Sequence, residues 1–474
     1  MAEEYNDCVV MRSALLIGTY EMGRQSFGLA SAAAWLRAGG WSVACIDAAK
    51  EKLREEHLAS AELIAFHLPM HTATRLAAPI IAAARRANPD ARICAYGLYA
   101  PLNAAWLRSI GVDAIFGGEF EEDLAAFAGH VRGTQSSQSP PSKAFSANSA
   151  VSAFDRRSLP RFHFLVPDRT GLPPLSKYAT LQMPGGARRT VGYTEASRGC
   201  RHLCRHCPVV PIYNGQFRVV QQEVVLADVD AQVAAGAGHI TFGDPDFFNG
   251  PTHAMRIVSA VHAAHPSVSY DVTIKVEHLL RHRDLVPRLA ATGCAFVTSA
   301  VESVDDRVLA LFDKGHTRAG FFEAVALCRA AGVALVPTFV AFHPWLTLDA
   351  YCDLLDTLDA LDLVDHVAPI QLAIRLLVPD GSRMLELDAM RPHIGAFDPA
   401  TLTYRWTHAD PRVDELQAAV MAMVGMRPTA DRRTLFDEVS ALAHNRAGLP
   451  RRAADARPVR DRATVPYLNE PWYC

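Results

Sequence analysis

Ser197-Arg198-Gly199-Cys200-Arg201-His202-Leu203-Cys204-Arg205-His206-Cys207-Pro208 carries three cysteines at the spacing C-x3-C-x2-C. Three thiolates are one short of the four that an iron–sulfur cluster of the four-iron type takes, so one iron is left without a protein ligand. An open position on a bound metal is where chemistry happens. A structural zinc knuckle is the competing reading, with His202 or His206 as the fourth ligand. Zinc ribbons bring a second ligand pair about 12 to 20 residues away, whereas the next cysteine here is Cys294. The run also follows an extended segment, 191–197, and leads into a loop rather than closing a small hairpin. The spacing therefore favours a redox cluster.

Outward from this run, the chain alternates strand-like and helix-like segments. Strand-like stretches fall at 191–197, 239–243, 269–276, 295–301, 332–340 and 368–376. Helical stretches follow the first five, at 217–235, 251–264, 278–292, 317–331 and 348–362. Six βα-type units are too few for an eight-fold barrel and predict a partial (β/α)6 barrel over 161–390. Upstream, 14–18, 42–46, 63–67 and 93–96 read as short buried strands, separated by alanine-rich helices at 28–38 and 74–87. That is the pattern of a doubly wound parallel sheet, placed at 1–130. Residues 131–160 are rich in Ser, Pro and Ala and read as a flexible linker. Residues 391–474 form a C-terminal helical extension and tail. The fold class is thus α/β throughout.

At 474 residues, half of them hydrophobic, the chain suggests two or three domains. Its 47 Lys and Arg against 50 Asp and Glu give a net charge of −3, with no basic block that marks a nucleic-acid partner. The acidic, polar start lacks a secretory signal, and no apolar run reaches the length of a membrane span. Cys8, Cys45, Cys94, Cys294, Cys328 and Cys352 read as buried reduced thiols, consistent with a cytoplasmic protein.

A glycine-preceded C-x3-C-x2-C just after a strand resembles the cluster loop of radical S-adenosylmethionine (SAM) enzymes. The resemblance implies a 4Fe-4S cluster on Cys200, Cys204 and Cys207, whose open iron is chelated by the amino and carboxylate groups of SAM. It further implies reductive cleavage of a carbon–sulfur bond of SAM, an external electron donor of the flavodoxin or ferredoxin type, and a small-molecule substrate. His206 stands where that family often has an aromatic residue, which leaves ligation intact. Gly243-Asp244-Pro245-Asp246 occupies the place of the family's SAM-amine segment, with Asp244 as the first candidate acceptor and Asp246 the second. Glu302 and Ser303 resemble the segment near the SAM ribose. Lys314-Gly315 follows the pattern of cobalamin-type relatives, or is a solvated charge. Arg375, in an apolar stretch, binds a SAM or substrate carboxylate or else sits in a buried ion pair.

The N-terminal part resembles the cobalamin-binding domain that precedes many radical SAM modules, through Phe27-Gly28-Leu29-Ala30, Leu36-Arg37-Ala38-Gly39-Gly40-Trp41 and Val112-Asp113-Ala114-Ile115-Phe116-Gly117-Gly118-Glu119. The D-x-H-x-x-G signature that supplies a histidine to cobalt is absent. Either cobalamin binds without a protein ligand or the domain keeps only the fold, and the missing histidine favours the second. The tail, Val465-Pro466-Tyr467-Leu468-Asn469-Glu470-Pro471-Trp472-Tyr473-Cys474, resembles that of a radical SAM subgroup in which this cysteine precedes Cys or selenocysteine and then Ala-Glu-Pro. That implies a catalytic Cys474, a selenoprotein candidate, and a loose relation to the radical SAM enzyme of arsinothricin biosynthesis. Four functions follow: radical modification of a small molecule, cobalamin-dependent methyl transfer, aminocarboxypropyl transfer to a thiophilic acceptor such as arsenite, and a non-enzymatic electron carrier.

Overall fold

The structure, a computed structural model, describes residues 12–129, 162–427, 431–451 and 466–469. The expectations for Cys8, for the linker at 131–160 and for Cys474 lie outside those residues. The chain divides into two compact units, Met1–Thr19 with Gly28–Leu172, and Tyr20–Phe27 with Pro173–Cys474.

In the first unit, short apolar strands are buried on both faces, as a parallel sheet covered by helices requires. They are β1 (Ser13–Gly18), β2 (Ser42–Asp47), β3 (Leu63–His67), β4 (Arg92–Tyr96) and β5 (Ala114–Phe116), all parallel in the order β2-β1-β3-β4-β5. The two-residue period sends Leu15 and Ile17 into one core with Ile64, Phe66, Ile81 and Ile93, and Ala14 and Leu16 into another with Leu29, Leu36, Tyr96 and Leu124. This is the doubly wound sheet expected, in an order with its reversal point between β1 and β3. His67, at the end of β3, is buried and stacked on Tyr96 with ring centroids 5.3 Å apart. A Cβ on Gly28 would lie 2.1 Å from its Nε2. That imidazole is a wedge in the core.

The second unit is built on β6 (Thr180–Gln182), β7 (Arg188–Thr194), β8 (Ser197–Gly199), β9 (Phe217–Val219), β10 (His239–Phe242), β11 (Ser269–Thr273), β12 (Cys294–Glu302), β13 (Ala334–Phe339), β14 (Ile394–Asp398), β15 (Thr403–Trp406) and β16 (Tyr467–Asn469). Its main sheet runs β13-β12-β11-β10-β7-β6-β16. Five neighbours, β7 and β10 to β13, are parallel and joined by helices, forming a curled half-barrel; β6 and β16 complete one edge antiparallel. The helices Gln222–Ala234, Pro251–Ala264, Arg318–Ala330 and Leu348–Ala360 fall where the periodicity puts them. The stretch 278–292 is two short helices, Val276–Arg281 and Val286–Ala291, broken where Pro287 forces a new start.

The sixth strand-like segment is the main departure. Residues Pro369–Leu372 form a 3-10 turn, and only the Phe342–Arg375 bridge remains of the expected pairing. Pro369 has no N–H to offer a ladder. The Phe339 N–H donates instead to the side-chain Oε1 of Gln371 at 2.9 Å. The C-terminal extension adds the β14–β15 hairpin and the helices Pro411–Met426 and Arg432–Ala447. No described helix is long and apolar enough to cross a membrane.

Candidate metal and cofactor site

Gly199 must precede the first cysteine for a steric reason. Its φ is +77°, and a Cβ there would lie 2.4 Å from the Tyr213 ring and 2.5 Å from the Gln216 carbonyl oxygen. The turn it makes, with β8 paired to β9, swings the chain out of β7's plane and delivers Cys200, Cys204 and Cys207 beyond the carboxyl end of that strand. All three thiols are free; Cys200 and Cys204 are buried, Cys207 partly so. Burial pushes the Cys200 thiol up to about 12, and Cys207 adds to the shift. Burial likewise pushes Cys207 up to about 11, with Cys204 adding. The thiols thus feel one another's charge, as donors converging on one group do.

Two residues of the turn after β10 hold this loop. Asp244 accepts from the Ala196 backbone N at 2.9 Å and from the Ser197 Oγ at 2.5 Å. Asn249, fully buried, brackets Cys200: its Nδ2 donates to the Gly199 carbonyl oxygen and its Oδ1 accepts from the Arg201 N, each at 3.2 Å. Gly243 sits where a Cβ would collide with the Tyr193 hydroxyl at 1.8 Å. Burial raises the Asp244 carboxyl to about 7 against the lowering by its two donors. Asp246, wholly buried, caps the next turn by accepting from the Phe248 N at 3.1 Å.

Two buried ammonium groups face the sulfurs. Lys275 Nζ donates to Cys204 Sγ at 3.6 Å. Lys314, 3% exposed, is no solvated charge: its Nζ lies 3.3 Å from Glu302 Oε1. His206 Nε2 lies 3.1 Å from the same oxygen. Desolvation pushes Glu302 up, but Lys314 and His206 outweigh it and hold the carboxylate at about 2. Glu302 reaches them through backbone strain. The register with β13 shifts between Ala300 and Glu302, and Glu302 takes a left-handed φ of +70°, a conformation that costs about 1–3 kcal/mol for a non-glycine residue and turns the side chain at the bulge. Ser303 Oγ accepts from the Asp305 N. A half-open cavity of about 440 Å³ lies beside Glu302, Ser303, Arg318 and His343.

The structure therefore brings Gly243, Asp244, Asp246, Glu302 and Ser303 around or next to the cysteine loop. Arg375 is committed elsewhere: it donates to Asp414 Oδ1 and to the Trp406 carbonyl oxygen, each at 2.6 Å, and stacks 3.5 Å over the Trp406 ring. The ion-pair alternative is the one realised. Asn249 and Lys275 were missed by the sequence reading. Asn249's partners lie 48 and 50 residues away, so nothing local marks it; Lys275 carried a signal, a charge inside the apolar run Val272-Thr273-Ile274-Lys275-Val276.

Residues 194–358 match the family model of the Radical SAM superfamily. Among curated proteins, the chain is 25% identical over 151 residues to the hopanoid C-3 methylase of Methylococcus capsulatus, covering 32% of this chain and 29% of that protein. It is 26% identical over 192 residues to a tRNA-2-methylthio-N(6)-dimethylallyladenosine synthase of Moorella thermoacetica, covering 36% and 40%. The match thus spans about a third of the length of these relatives. Among solved structures, the cobalamin-dependent SAM radical enzyme OxsB, with aqua-cobalamin and SAM bound, covers 92% of this chain and 72% of its own at 15% identity and a TM-score of 0.66. The radical SAM methyltransferase TsrM from Kitasatospora setae, with cobalamin and a [4Fe-4S] cluster bound, covers 74% and 70% at 17% identity and a TM-score of 0.56. These two likenesses concern the fold.

Proposed function

We propose that this chain, whose residues 194–358 form a radical SAM domain, is an enzyme that cleaves SAM reductively to modify a small-molecule substrate. The observation that carries the reading is the C-x3-C-x2-C loop at the carboxyl end of β7, pinned by Asp244 and Asn249 from the end of β10. Three converging thiols with two buried lysines facing them suit an anionic cluster held by Cys200, Cys204 and Cys207. When bound, a [4Fe-4S] cluster of this class supplies the electron that breaks a carbon–sulfur bond of SAM.

The chain's own residues then divide the work. Asp244 keeps two of its roughly four lone-pair positions and accepts the SAM ammonium, a charge-assisted bond that also holds the carboxyl ionised. Asn249 fixes the backbone on both sides of Cys200. Lys275 stabilises the Cys204 thiolate. Glu302 fixes His206 next to Cys207, and with Ser303 faces the cavity that would take the rest of SAM or the substrate. The reducing electron comes from an external flavodoxin- or ferredoxin-type donor.

Anaerobic reconstitution with iron, sulfide, SAM and dithionite tests this. A nucleoside product is expected from the native chain and not from the Cys200→Ala/Cys204→Ala/Cys207→Ala variant. 5'-Deoxyadenosine assigns hydrogen abstraction; methylthioadenosine assigns aminocarboxypropyl transfer. If the chain holds iron yet forms neither above the variant's level, the proposal fails.

Cobalamin-dependent methyl transfer is a second reading, favoured by the β2-β1-β3-β4-β5 sheet and the fold shared with two cobalamin-bearing structures. With His67 wedged against Gly28 and Tyr96, a corrinoid here would take no cobalt ligand from that residue. Retention of hydroxocobalamin through gel filtration supports this reading, and its loss sinks it.

A further inference from the structure

Asp246 uses one carboxylate oxygen to cap its turn and leaves the other, Oδ2, with a different set of neighbours. That oxygen is fully buried and makes no hydrogen bond of acceptable geometry among the described residues. His278 Nδ1 lies only 2.7 Å away and likewise makes no hydrogen bond among the described residues. A buried carboxylate oxygen and a buried imidazole nitrogen left in this state are destabilising unless something else satisfies them. A positive ion beside the bare carboxylate oxygen would relieve it.

A third donor, His202, lies at the other ring nitrogen of His278, so Nε2 is the ligand atom that His278 offers. His202 Nε2 lies 3.2 Å from His278 Nε2 and 3.6 Å from Asp246 Oδ2. The ligand atoms of the three residues all fall within 4.8 Å of one another. Ligands about 2.1 Å from an ion and separated by 3.2 and 3.6 Å subtend roughly 100° and 120° at it, which is coordination geometry. Glu277 Oε2 stands 3.6 Å from His202 Nδ1, on the far side of the ring. A carboxylate there orients the imidazole so that Nε2 faces the metal.

We propose that His202, Asp246 and His278 form a mononuclear site for a divalent transition-metal ion, distinct from the three cluster cysteines. Two imidazoles and a carboxylate are the donors of zinc and non-haem ferrous sites, with coordination positions left for exogenous ligands. The nitrogen majority disfavours calcium and magnesium, which take oxygen. The three ligands come from the cysteine loop, the turn after β10 and the helix Val276–Arg281, so the ion staples the loop to the barrel. Asp244 remains for the SAM ammonium, and the site stands whether or not SAM is cleaved.

Cobalt(II) is the probe. The full chain is loaded with its cluster, stripped of loose metal on a chelating resin and titrated anaerobically with Co2+, with metal content measured after gel filtration. One Co2+ per chain beyond the cluster iron is expected. His278→Gln and Asp246→Asn should weaken its binding at least tenfold while iron and sulfide content stay unchanged. Should either variant also lose its cluster, the Cys200→Ala/Cys204→Ala/Cys207→Ala chain decides: it should keep one Co2+ and lose it when His278→Gln is added. No additional Co2+ in the native chain, or equal binding with and without His278→Gln in either background, overturns the proposal.

Discussion

Glu302→Gln tests the buried charge cluster beside the cysteine loop most directly, because it removes a charge and almost no volume. Glu302 is 8% exposed, with Lys314 and His206 as its partners. Its carboxyl sits at about 2 rather than the ordinary 4.5, a depression that at 1.36 kcal/mol per unit is worth about 3 kcal/mol to folding at neutral pH. Removing one partner of a buried pair costs about 3–5 kcal/mol, so the two routes agree. For a depressed acid, this stability is fully present above 4.5 and is lost as pH falls through about 2. Urea unfolding of the cluster-free chain, native and variant side by side, reads both the size and the sign. At an m-value of about 3 kcal/mol/M, the midpoint should drop by roughly 1 M at pH 7. The gap between the two proteins should close as pH is lowered from 4.5 toward 2. A variant within about 1 kcal/mol of the native chain at pH 7, or a gap that widens in acid, refutes the reasoning. Adding Lys314→Met to Glu302→Gln should recover part of the loss, because the stranded ammonium is then gone.

Three further outcomes follow from the same neighbourhood. Lys275→Met removes the donor to Cys204 Sγ; hydrogen bonds and charge near cluster sulfurs set the potential, so an anaerobic EPR titration should find it roughly 50–100 mV more negative, about one to two decades at 59 mV each. No shift would mean that the contact is idle. Asp244, raised from 3.8 to about 7, favours its protonated form when folded; the cluster-free chain should therefore lose stability as pH rises from about 4 to about 7, and Asp244→Asn should flatten that slope in thermal melts. Asn249→Ala removes the side-chain hydrogen bonds to the Gly199 carbonyl and from the Arg201 N–H, at about 0.5–1.5 kcal/mol each, and should shorten cluster lifetime in an iron-release assay with a ferrous chelator; an unchanged lifetime would show that the loop holds itself.

What could be read in the chain divides by range. Buried runs such as Ala14-Leu15-Leu16-Ile17 and the alternation of strands with helices report local burial and period, and the two sheets followed from them. The three cysteines were legible because ligand spacing is a local property. The sixth strand was misread because apolar content hid the proline at 369 and the side-chain substitution by Gln371. The three-residue strands β8 and β9 are too short to leave a periodic mark. The site's second layer joins residues far apart in the chain, such as Ala196 with Asp244 and Cys204 with Lys275. Glu302 was marked as a binding residue, but its left-handed backbone and buried partners could not be read from its neighbours in sequence.

The edge of the half-barrel has a consequence for the order in which the chain can be made. β6 pairs on its outer side with β16, Gln182 against Tyr467 and Thr180 against Asn469. During synthesis β6 and β7 emerge long before residue 467 does, so the growing protein carries a naked sheet edge until β16 is made. Such edges recruit other strands, and pairings this distant in sequence form slowly. Closure of that edge thus has to wait until residues 467–469 have been made. Yields at high expression rates should rise when elongation is slowed or a holdase is supplied.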